Sequence, residues 1–424
     1  MTQPPTPLSR NQVRGFWAAW GGWALDGMDS FIYALVLTPA ITELLPRSGL
    51  EPTAGNVGFY GSVLFALFLF GWGLSMAWGP LADRFGRVRT LMLTILCYST
   101  FTFLGAFVTN MWQLAACRML AGIGIGGEWS MGGTFVAEEW PEDRRKQGAG
   151  WMHTGYYFGF FLAALANYFI GARYGWRVMF AIGGLPALLV SAIRVGVHES
   201  DRWTSTVRSA RPSLRQSFAA IFSPTYRRRT ILNSAYLLVS VVGLWAGSVY
   251  VPTAMTALAR GAGYTGAAVA QMASYGTMVL STGTILGCLA IAPLAERFGR
   301  RLTLAAYFVV MAISIAVGFG YVFYTGSLSL FMAMLFLLGL GGANFGMYTL
   351  WLPEQYGTDC RASAFAFTTS VGRIVGAGIT FLVGAGVAAY GSLGVPVALT
   401  SVAFLIGLFL LPFGQETTGQ RLPD

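Results

Sequence analysis

Residues 80–87 read PLADRFGR and residues 293–300 read PLAERFGR, so one eight-residue stretch occurs twice, with a single exchange of aspartate for glutamate. A second feature repeats at a similar distance: Glu138 and Glu354 are each followed, seven residues later, by an arginine. The copies lie 213 and 216 residues apart, about half of the 424-residue chain. A chain that repeats itself over half its length is expected to fold as two similar halves.

The composition places both halves in a membrane. Hydrophobic residues make up 55% of the chain and charged residues only 10%, and the mean hydropathy is +0.59. A helix needs about 20 mainly apolar residues to cross a bilayer. Twelve segments meet this condition: 15–44, 56–82, 89–108, 112–139, 147–170, 177–197, 230–256, 266–296, 302–322, 328–355, 362–390 and 393–413.

The largest polar interval, 198–229, is rich in arginine and separates two groups of six segments. We therefore expect an N-terminal lobe (1–197), a basic connector (198–229) and a C-terminal lobe (230–424). An even number of spans between repeated copies predicts two lobes related by a twofold axis along the membrane normal. Arginines also cluster after segments 2, 4 and 8. The positive-inside rule then predicts that both termini are cytoplasmic, and it accounts for the net charge of +10 without a nucleic-acid partner.

Several function classes lack support in this sequence. The four cysteines show no metal-ligand spacing, and no phosphate-binding glycine loop or nucleophile–base arrangement is evident. We expect no enzymatic activity, no cofactor and no metal. We also expect no cleaved signal peptide, because the first apolar segment is too long for one.

The repeated loop resembles a signature of the major facilitator superfamily, as do Arg118-x-x-x-Gly122 and the stretch VHESDRW at 197–203. The resemblance covers nearly the whole chain. It implies an all-α membrane protein of twelve transmembrane helices in two six-helix lobes related by pseudo-twofold symmetry. It also implies that segments 1, 4, 7 and 10 line a central cavity.

Within that superfamily, three features look like the organic-acid:proton symporters. They are the pair Asp26-Gly27-x-Asp29, the run GGEW at 126–129, and Pro353-Glu354 with Arg361. The stretch WALDGMDSFIYALVLT at 23–38 looks most like the sialate:proton symporters, and the aromatic acid:proton symporters are close neighbours. A His- and Asp-containing motif of yeast lactate carriers is absent from segment 7.

Polar residues deep in the apolar segments are candidates for the proton path. Asp26 and Glu128 lie about 15 Å from the predicted cytoplasmic ends of their segments, near the bilayer centre. A carboxylate in hydrocarbon is costly unless it faces a cavity or a partner. Burial and nearby like charge favour the protonated form of a carboxyl group. We therefore expect Asp26 and Asp29, three residues apart on one helical face, to bind protons as a coupled pair, with Glu128 as a further carrier and Arg118 as part of the relay.

Arg373 is the candidate for binding an anionic substrate, since a guanidinium group can hold a carboxylate through two hydrogen bonds. It also lies about 16 Å into its segment. Asn344, which occupies the repeat position of Glu128, and the aromatic residues Tyr156, Tyr157 and Trp351 are expected to complete the site.

Charged residues near the cytoplasmic ends are expected to act in gating rather than in substrate binding. Glu138 with Arg145, and Glu354 with Arg361, are expected to add contacts between the lobes. The predicted gating set is Asp83, Arg84, Arg87, Glu138, Arg145, Glu296, Arg300, Glu354 and Arg361.

These features predict a monomeric, proton-coupled symporter in a bacterial inner membrane that imports a small organic anion, such as a monocarboxylate, sialic acid or an aromatic carboxylate. A proton-coupled efflux carrier and an uncoupled facilitator of a neutral solute are the alternatives. Individual residues also have structural alternatives: Asp26 could pair with Arg118, and Arg373 could form an ion pair between lobes. His153 is expected to act as a hydrogen-bond donor facing a loop.

Overall fold

The computed structural model describes residues 6–187 and 214–423, and the regular secondary structure of that part is helical. Backbone polar groups within a bilayer must find partners inside their own segment, which favours helices throughout. The helices are α1 (Arg10–Leu44), α2 (Ala54–Leu74), α3 (Trp78–Phe85), α4 (Arg87–Leu104), α5 (Met111–Glu139), α6 (Arg145–Ala166), α7 (Trp176–Ile182), α8 (Leu214–Ile221), α9 (Arg227–Ser248), α10 (Val251–Gly261), α11 (Ala267–Val317), α12 (Leu328–Gly342), α13 (Asn344–Trp351), α14 (Arg361–Tyr390), α15 (Gly394–Leu399) and α16 (Val402–Leu410).

Eight helical stretches of the described residues are long and apolar enough to cross a membrane. One of them, 267–325, spans the predicted segments 8 and 9 together. Helices α5 and α9 occupy predicted segments 4 and 7, and predicted segment 6 is described only as far as residue 187. The helical pattern therefore agrees with the twelve predicted segments wherever the chain is described. The boundary at 198–229 stays a prediction, because much of that range lies outside the described residues.

The glycine of each repeated stretch interrupts the helical path at the same point. Gly86 has φ 112° between α3 and α4, and Gly299 has φ 83° inside α11. Residues with a side chain rarely adopt this conformation, whereas glycine does so at little cost. The sequence RFGR thus sets the turn between neighbouring spans in both halves of the chain.

Close backbone contact between α1 and α6 orients the polar face of α1. A Cβ atom added at Gly27 would lie 2.0 Å from the Tyr156 carbonyl oxygen, and one added at Gly159 would lie 1.9 Å from the Ala24 carbonyl oxygen. Small residues permit this kind of approach between membrane helices. The register fixed by these glycines brings Asp26 beside Tyr156.

Both termini lie on one side of the molecule, here called the terminal side. The Thr6 amide donates to Asp143 at 2.8 Å, and Arg145 donates to the carbonyl oxygen of Gln420 at 3.5 Å. The loop between α5 and α6 therefore contacts both ends of the chain. The cytoplasmic assignment of this side stays a prediction.

Candidate functional site

Five charged side chains are buried in the middle of the helical bundle, each at most 1% exposed. They come from three helices and from both lobes. Helix α1 supplies Asp26 and Asp29, α5 supplies Arg118 and Glu128, and α14 supplies Arg373. These residues are called the central charges below, and all five were predicted from the sequence as site residues.

Asp29 lies beside Arg118. The Arg118 Nη1 atom is 3.7 Å from Asp29 Oδ2, and the guanidinium carbon lies 4.5 Å from the ring centre of Phe68 and 5.1 Å from that of Tyr33. A carboxylate and a guanidinium at this distance compensate each other's charge. The sequence left open an ion pair between Asp26 and Arg118, but in the structure Arg118 forms its ion pair with Asp29.

Asp26 has different surroundings, since its nearest charged neighbours include Glu128 and Arg373 as well as Asp29. The Glu128 carboxylate packs against α1, where a Cβ added at Gly22 would lie 3.1 Å from Glu128 Oε2. Among the described residues, the carboxylate oxygens of Asp26 and Glu128 have no hydrogen-bond partner. The coupling of Asp26 with Asp29 stays a prediction, and the structure adds Glu128 as a further acidic neighbour of Asp26.

Arg373 extends from the C-terminal lobe onto aromatic rings of the N-terminal lobe. Its guanidinium carbon lies 4.0 Å from the ring centre of Trp72 and 5.5 Å from that of Trp129. The Nη1 group donates to the Thr369 carbonyl oxygen, whereas Nε finds no partner among the described residues. Since no carboxylate lies within ion-pair distance in that part of the chain, Arg373 remains available to an anion.

Aromatic rings surround these charges. Trp23 stacks on Tyr156 with ring centres 4.4 Å apart, and on Trp129 at 5.7 Å. Tyr157 lies edge-on to Tyr156 and donates its hydroxyl to the Gly342 carbonyl oxygen of the other lobe at 3.2 Å. Such rings offer flat apolar surfaces to a ring-shaped ligand. Tyr156 and Tyr157 therefore lie among the aromatic rings beside the central charges.

His153 also lies at this site, although the sequence predicted that its side chain would face a loop. Trp129 Nε1 donates to Thr349 Oγ1 at 2.8 Å, and the same hydroxyl lies 3.3 Å from His153 Nδ1. The His153 ring is buried, and its Nε2 atom has no partner among the described residues. A signal was present in the sequence, because His153 precedes Tyr156 and Tyr157 by three and four residues and so shares their helical face.

The two other predicted substrate residues lie on or beyond the edge of the site. Asn344 is buried, donates to the Gly341 carbonyl oxygen at 2.9 Å, and keeps its own side-chain oxygen without a partner in the described chain. Trp351 stacks on Tyr236 and donates to the Gln415 carbonyl oxygen at 3.0 Å. Trp351 follows Asn344 by seven helical residues and therefore lies about 10 Å closer to the terminal side. This position is away from the central charges.

On the terminal side, acidic and basic residues form ion pairs between the lobes. Arg145 lies 3.1 Å from Glu354, and Arg361 lies 3.3 Å from Glu138. These contacts join each glutamate to the arginine of the other lobe.

Further pairs extend this set. Lys146 lies 2.9 Å from Glu296, and Arg300 holds Glu354 through two hydrogen bonds of 2.8 and 2.9 Å. We call the whole set the terminal cluster: Glu138, Arg145, Lys146, Glu296, Arg300, Glu354 and Arg361. Arg84 is exposed and lies over the Phe85 ring, and the side chains of Asp83 and Arg87 lie outside the described part of the structure.

The C-terminal tail packs on the terminal cluster. Thr417 donates to Glu354 at 2.5 Å, and Glu416 accepts the backbone N–H groups of Arg300 and Arg301 at 3.0 and 3.2 Å. Burial tends to raise the pKa of Glu416, but hydrogen bonds from Thr418 and from these N–H groups outweigh burial and lower that pKa. The tail therefore joins the network as an anion.

The lobes also meet on the opposite side. Ser62 and Tyr250 are hydrogen-bonded at 2.7 Å, and Asn167 donates to Ser274 at 3.1 Å. The central charges thus lie between two sets of interlobe contacts and are shielded from solvent on both sides.

Comparisons with known proteins agree with this architecture. A model of the Major Facilitator Superfamily matches residues 19–377. The chain is 32% identical to a probable 4-methylmuconolactone transporter of Cupriavidus pinatubonensis, over 97% of this chain and 92% of the relative. It is 27% identical to the niacin transporter NiaP of Acinetobacter baylyi, over 98% and 97% of the two chains.

Among solved structures, the proton:xylose symporter XylE bound to 6-bromo-6-deoxy-D-glucose matches with a TM-score of 0.75 at 17% identity, covering 97% of this chain and 98% of XylE. At that identity the likeness concerns the fold. Together with the family match and the relatives named as transporters, it establishes that this chain belongs to the Major Facilitator Superfamily and is a membrane transporter, not an enzyme.

Proposed function

We propose that the protein is a proton-coupled symporter that imports a small organic anion, preferably a monocarboxylate that carries a ring. The observation that carries this proposal is the unpaired state of Asp26, Glu128 and Arg373 inside a closed, aromatic site. An arginine without a carboxylate partner suits an anionic substrate. Carboxyl groups without a hydrogen-bond donor or a cation within ion-pair distance suit reversible protonation.

The substrate class is supported by the walls of the site and by the relatives. Trp23, Trp129 and Tyr156 present stacked rings within reach of the Arg373 side chain. Niacin, the solute in the name of one relative, is an aromatic monocarboxylic acid. A ring between aromatic side chains and a carboxylate on Arg373 would use both features of the site.

Coupling follows from the cost of buried charge. An anion that enters beside Asp26 and Glu128 is repelled unless one of these carboxylates takes up a proton. A site that holds both proton and anion can close and exchange sides more readily than one holding the anion alone. The lobes would alternate by breaking the terminal cluster and the opposite contacts in turn.

The proposed setting is a bacterial inner membrane with the terminal side in the cytoplasm. Arginine clusters support this orientation, since Arg144, Arg227, Arg228, Arg297 and Arg301 all lie near terminal-side ends of helices. We propose that the monomer is the functional unit, because one chain supplies both lobes and a complete closed site.

The proposal is tested in proteoliposomes that contain a pH-sensitive dye. Nicotinate, benzoate, lactate and sialic acid are added outside, with xylose as the neutral control, and the variant Arg373→Gln serves as the matched protein control. Internal acidification with one class of carboxylate, absent in the variant, is the expected result. Solute entry without a dye response would instead identify an uncoupled facilitator, and carboxylate extrusion driven by an inward proton gradient would identify an efflux carrier.

A further inference from the structure

The central charges do not balance. Asp26, Asp29 and Glu128 can carry three negative charges, whereas Arg118 and Arg373 carry two positive ones. If every group were ionised, the closed site would hold one net negative charge. Asp29 and Arg118 compensate each other at 3.7 Å, so the excess falls on Asp26 and Glu128, with Arg373 as the remaining cation near Asp26.

An uncompensated charge is costly here because both sides of the site are closed. Removing an ion from water costs several kcal/mol even after the protein relaxes. The oxygens of Asp26 and Glu128 lack hydrogen-bond donors in the described chain, so no local dipole offsets this cost. The closed, empty protein is therefore most stable when its central charges sum to zero.

The other titratable groups that face the pair do not alter this sum. Tyr98 and Tyr156 lie near the carboxylates, and a phenol stays neutral beside negative charge. His153 lies near Arg373, and Thr349 already accepts the Trp129 N–H group, so that its own hydroxyl hydrogen can be donated to His153 Nδ1. A neutral imidazole satisfies this arrangement, whereas a second buried cation beside Arg373 would not.

We infer that the Asp26–Glu128 pair binds two protons during the transport cycle, one that stays resident in the empty protein and one that crosses with each monocarboxylate. This inference rests on the proposed function and gives its proton stoichiometry. The empty site has three acids, two cations and one resident proton. The loaded site adds one carboxylate and one proton, so both closed forms are neutral.

The structure also explains where the second proton goes. Arg373 lies close enough to Asp26 to interact with its charge. A substrate carboxylate that binds Arg373 neutralises that cation, and the remaining negative charge of the pair loses its compensation. A proton from the outer solution then binds a carboxylate oxygen, and it leaves to the inner solution when the substrate departs.

Substitutions of Asp26 and Glu128 should change the number of bound protons in a defined way. Either carboxyl group alone still offers one proton site, so Asp26→Asn and Glu128→Gln should each lose the resident proton and retain one proton per substrate. The double variant has no site left and should carry the anion without a proton. A mechanism with one dedicated carrier predicts instead that one single variant is uncoupled and the other is not.

The deciding experiment counts protons and charge in wild-type proteoliposomes. The probe is radiolabelled nicotinate or benzoate, whichever the wild type accumulates, with dye inside and the membrane potential set by potassium and valinomycin. We expect one proton per carboxylate, and accumulation that a potential of 100 mV leaves unchanged. One net charge per cycle would change accumulation by about 50-fold at that potential.

Proton symport and the electrically neutral cycle are overturned by different results. If no carboxylate acidifies the lumen, proton symport itself is overturned. If protons enter at two per carboxylate, or if accumulation follows the potential, the neutral cycle is overturned while symport stands. His153→Gln is the control for the imidazole: it should keep a ratio of one whatever its rate, and a changed ratio would show that His153 carries a proton.

Discussion

Two groups of buried charges in this protein differ in how they are paired. In the terminal cluster, Glu354 contacts Arg145 and Arg300 and accepts the Thr417 hydroxyl. In the centre, Asp26 and Glu128 are as deeply buried but accept no hydrogen bond within the described chain. A paired cluster stabilises one arrangement of the lobes, whereas unpaired groups are prepared for a proton or a ligand. Pairing, and not depth, separates the two roles.

The largest effect should come from removing the unpaired cation. Arg373→Gln should lower carboxylate uptake about 100-fold, because a hydrogen-bonded charge on a ligand contributes about 1.5–3 kcal/mol. Binding should weaken by a similar factor, measured by quenching of tryptophan fluorescence, since Trp72 and Trp129 lie against the guanidinium. Arg260→Gln, at an exposed position, is the control and should leave both values unchanged.

Retained affinity with slow transport would contradict this prediction. It would assign Arg373 to contact between the lobes and not to the substrate. The comparison between paired and unpaired charges would then fail at its strongest point.

The fold could be predicted because its determinants are local and repeated. Hydropathy marked the spans, and the RFGR repeat marked the turns at Gly86 and Gly299. The depths of Asp26, Glu128 and Arg373 also followed from helical rise alone. Each of these properties depends on the sequence of a single segment and not on its neighbours.

The pairing could not be predicted, because it depends on contacts between segments. Spacing along α1 placed Asp26 and Asp29 on one face. The packing of α5 against α1 then brings Arg118 beside Asp29 and Glu128 near Asp26. In the same way, the contact of Arg361 with Glu138 depends on how the two lobes pack against each other. The contact of His153 with Thr349, which is distant in sequence, likewise depends on the packing of the two lobes.

An intermediate effect is expected from weakening the terminal cluster. Glu354→Gln keeps the shape but removes the charge that holds Arg145 and Arg300. The balance of conformations should shift about tenfold toward the form open on the terminal side, corresponding to roughly 1.4 kcal/mol. Spin labels at the exposed positions Gln147 and Arg297, in a protein without native cysteines, would report longer distances. Unchanged distances would mean that this pair does not hold the lobes together.

The tail should make a smaller contribution. Thr417→Val removes the hydroxyl that donates to Glu354 while preserving the size of the side chain. One hydrogen bond contributes about 1 kcal/mol. The ratio of open to closed conformations, measured by the same spin labels, should therefore change about fivefold. Thr418→Val is the matched comparison, since Thr418 is exposed and its hydroxyl donates to Glu416 and not to Glu354. Equal effects from both variants would indicate a general loosening of the tail.

The smallest effect should come from the outermost pair, although it too joins the lobes. Lys146 and Glu296 lie 2.9 Å apart, but their side chains are 18% and 46% exposed. Solvent screens such a pair, which typically contributes less than 1 kcal/mol. Lys146→Ala should therefore change the uptake rate by less than about threefold, and less at high salt. Lys146→Arg, which keeps the positive charge beside Glu296, is the control and should leave the rate unchanged. A loss as large as that of Glu354→Gln would show that exposure does not weaken this contact, and that the terminal cluster acts as one network whose members cannot be ranked by burial.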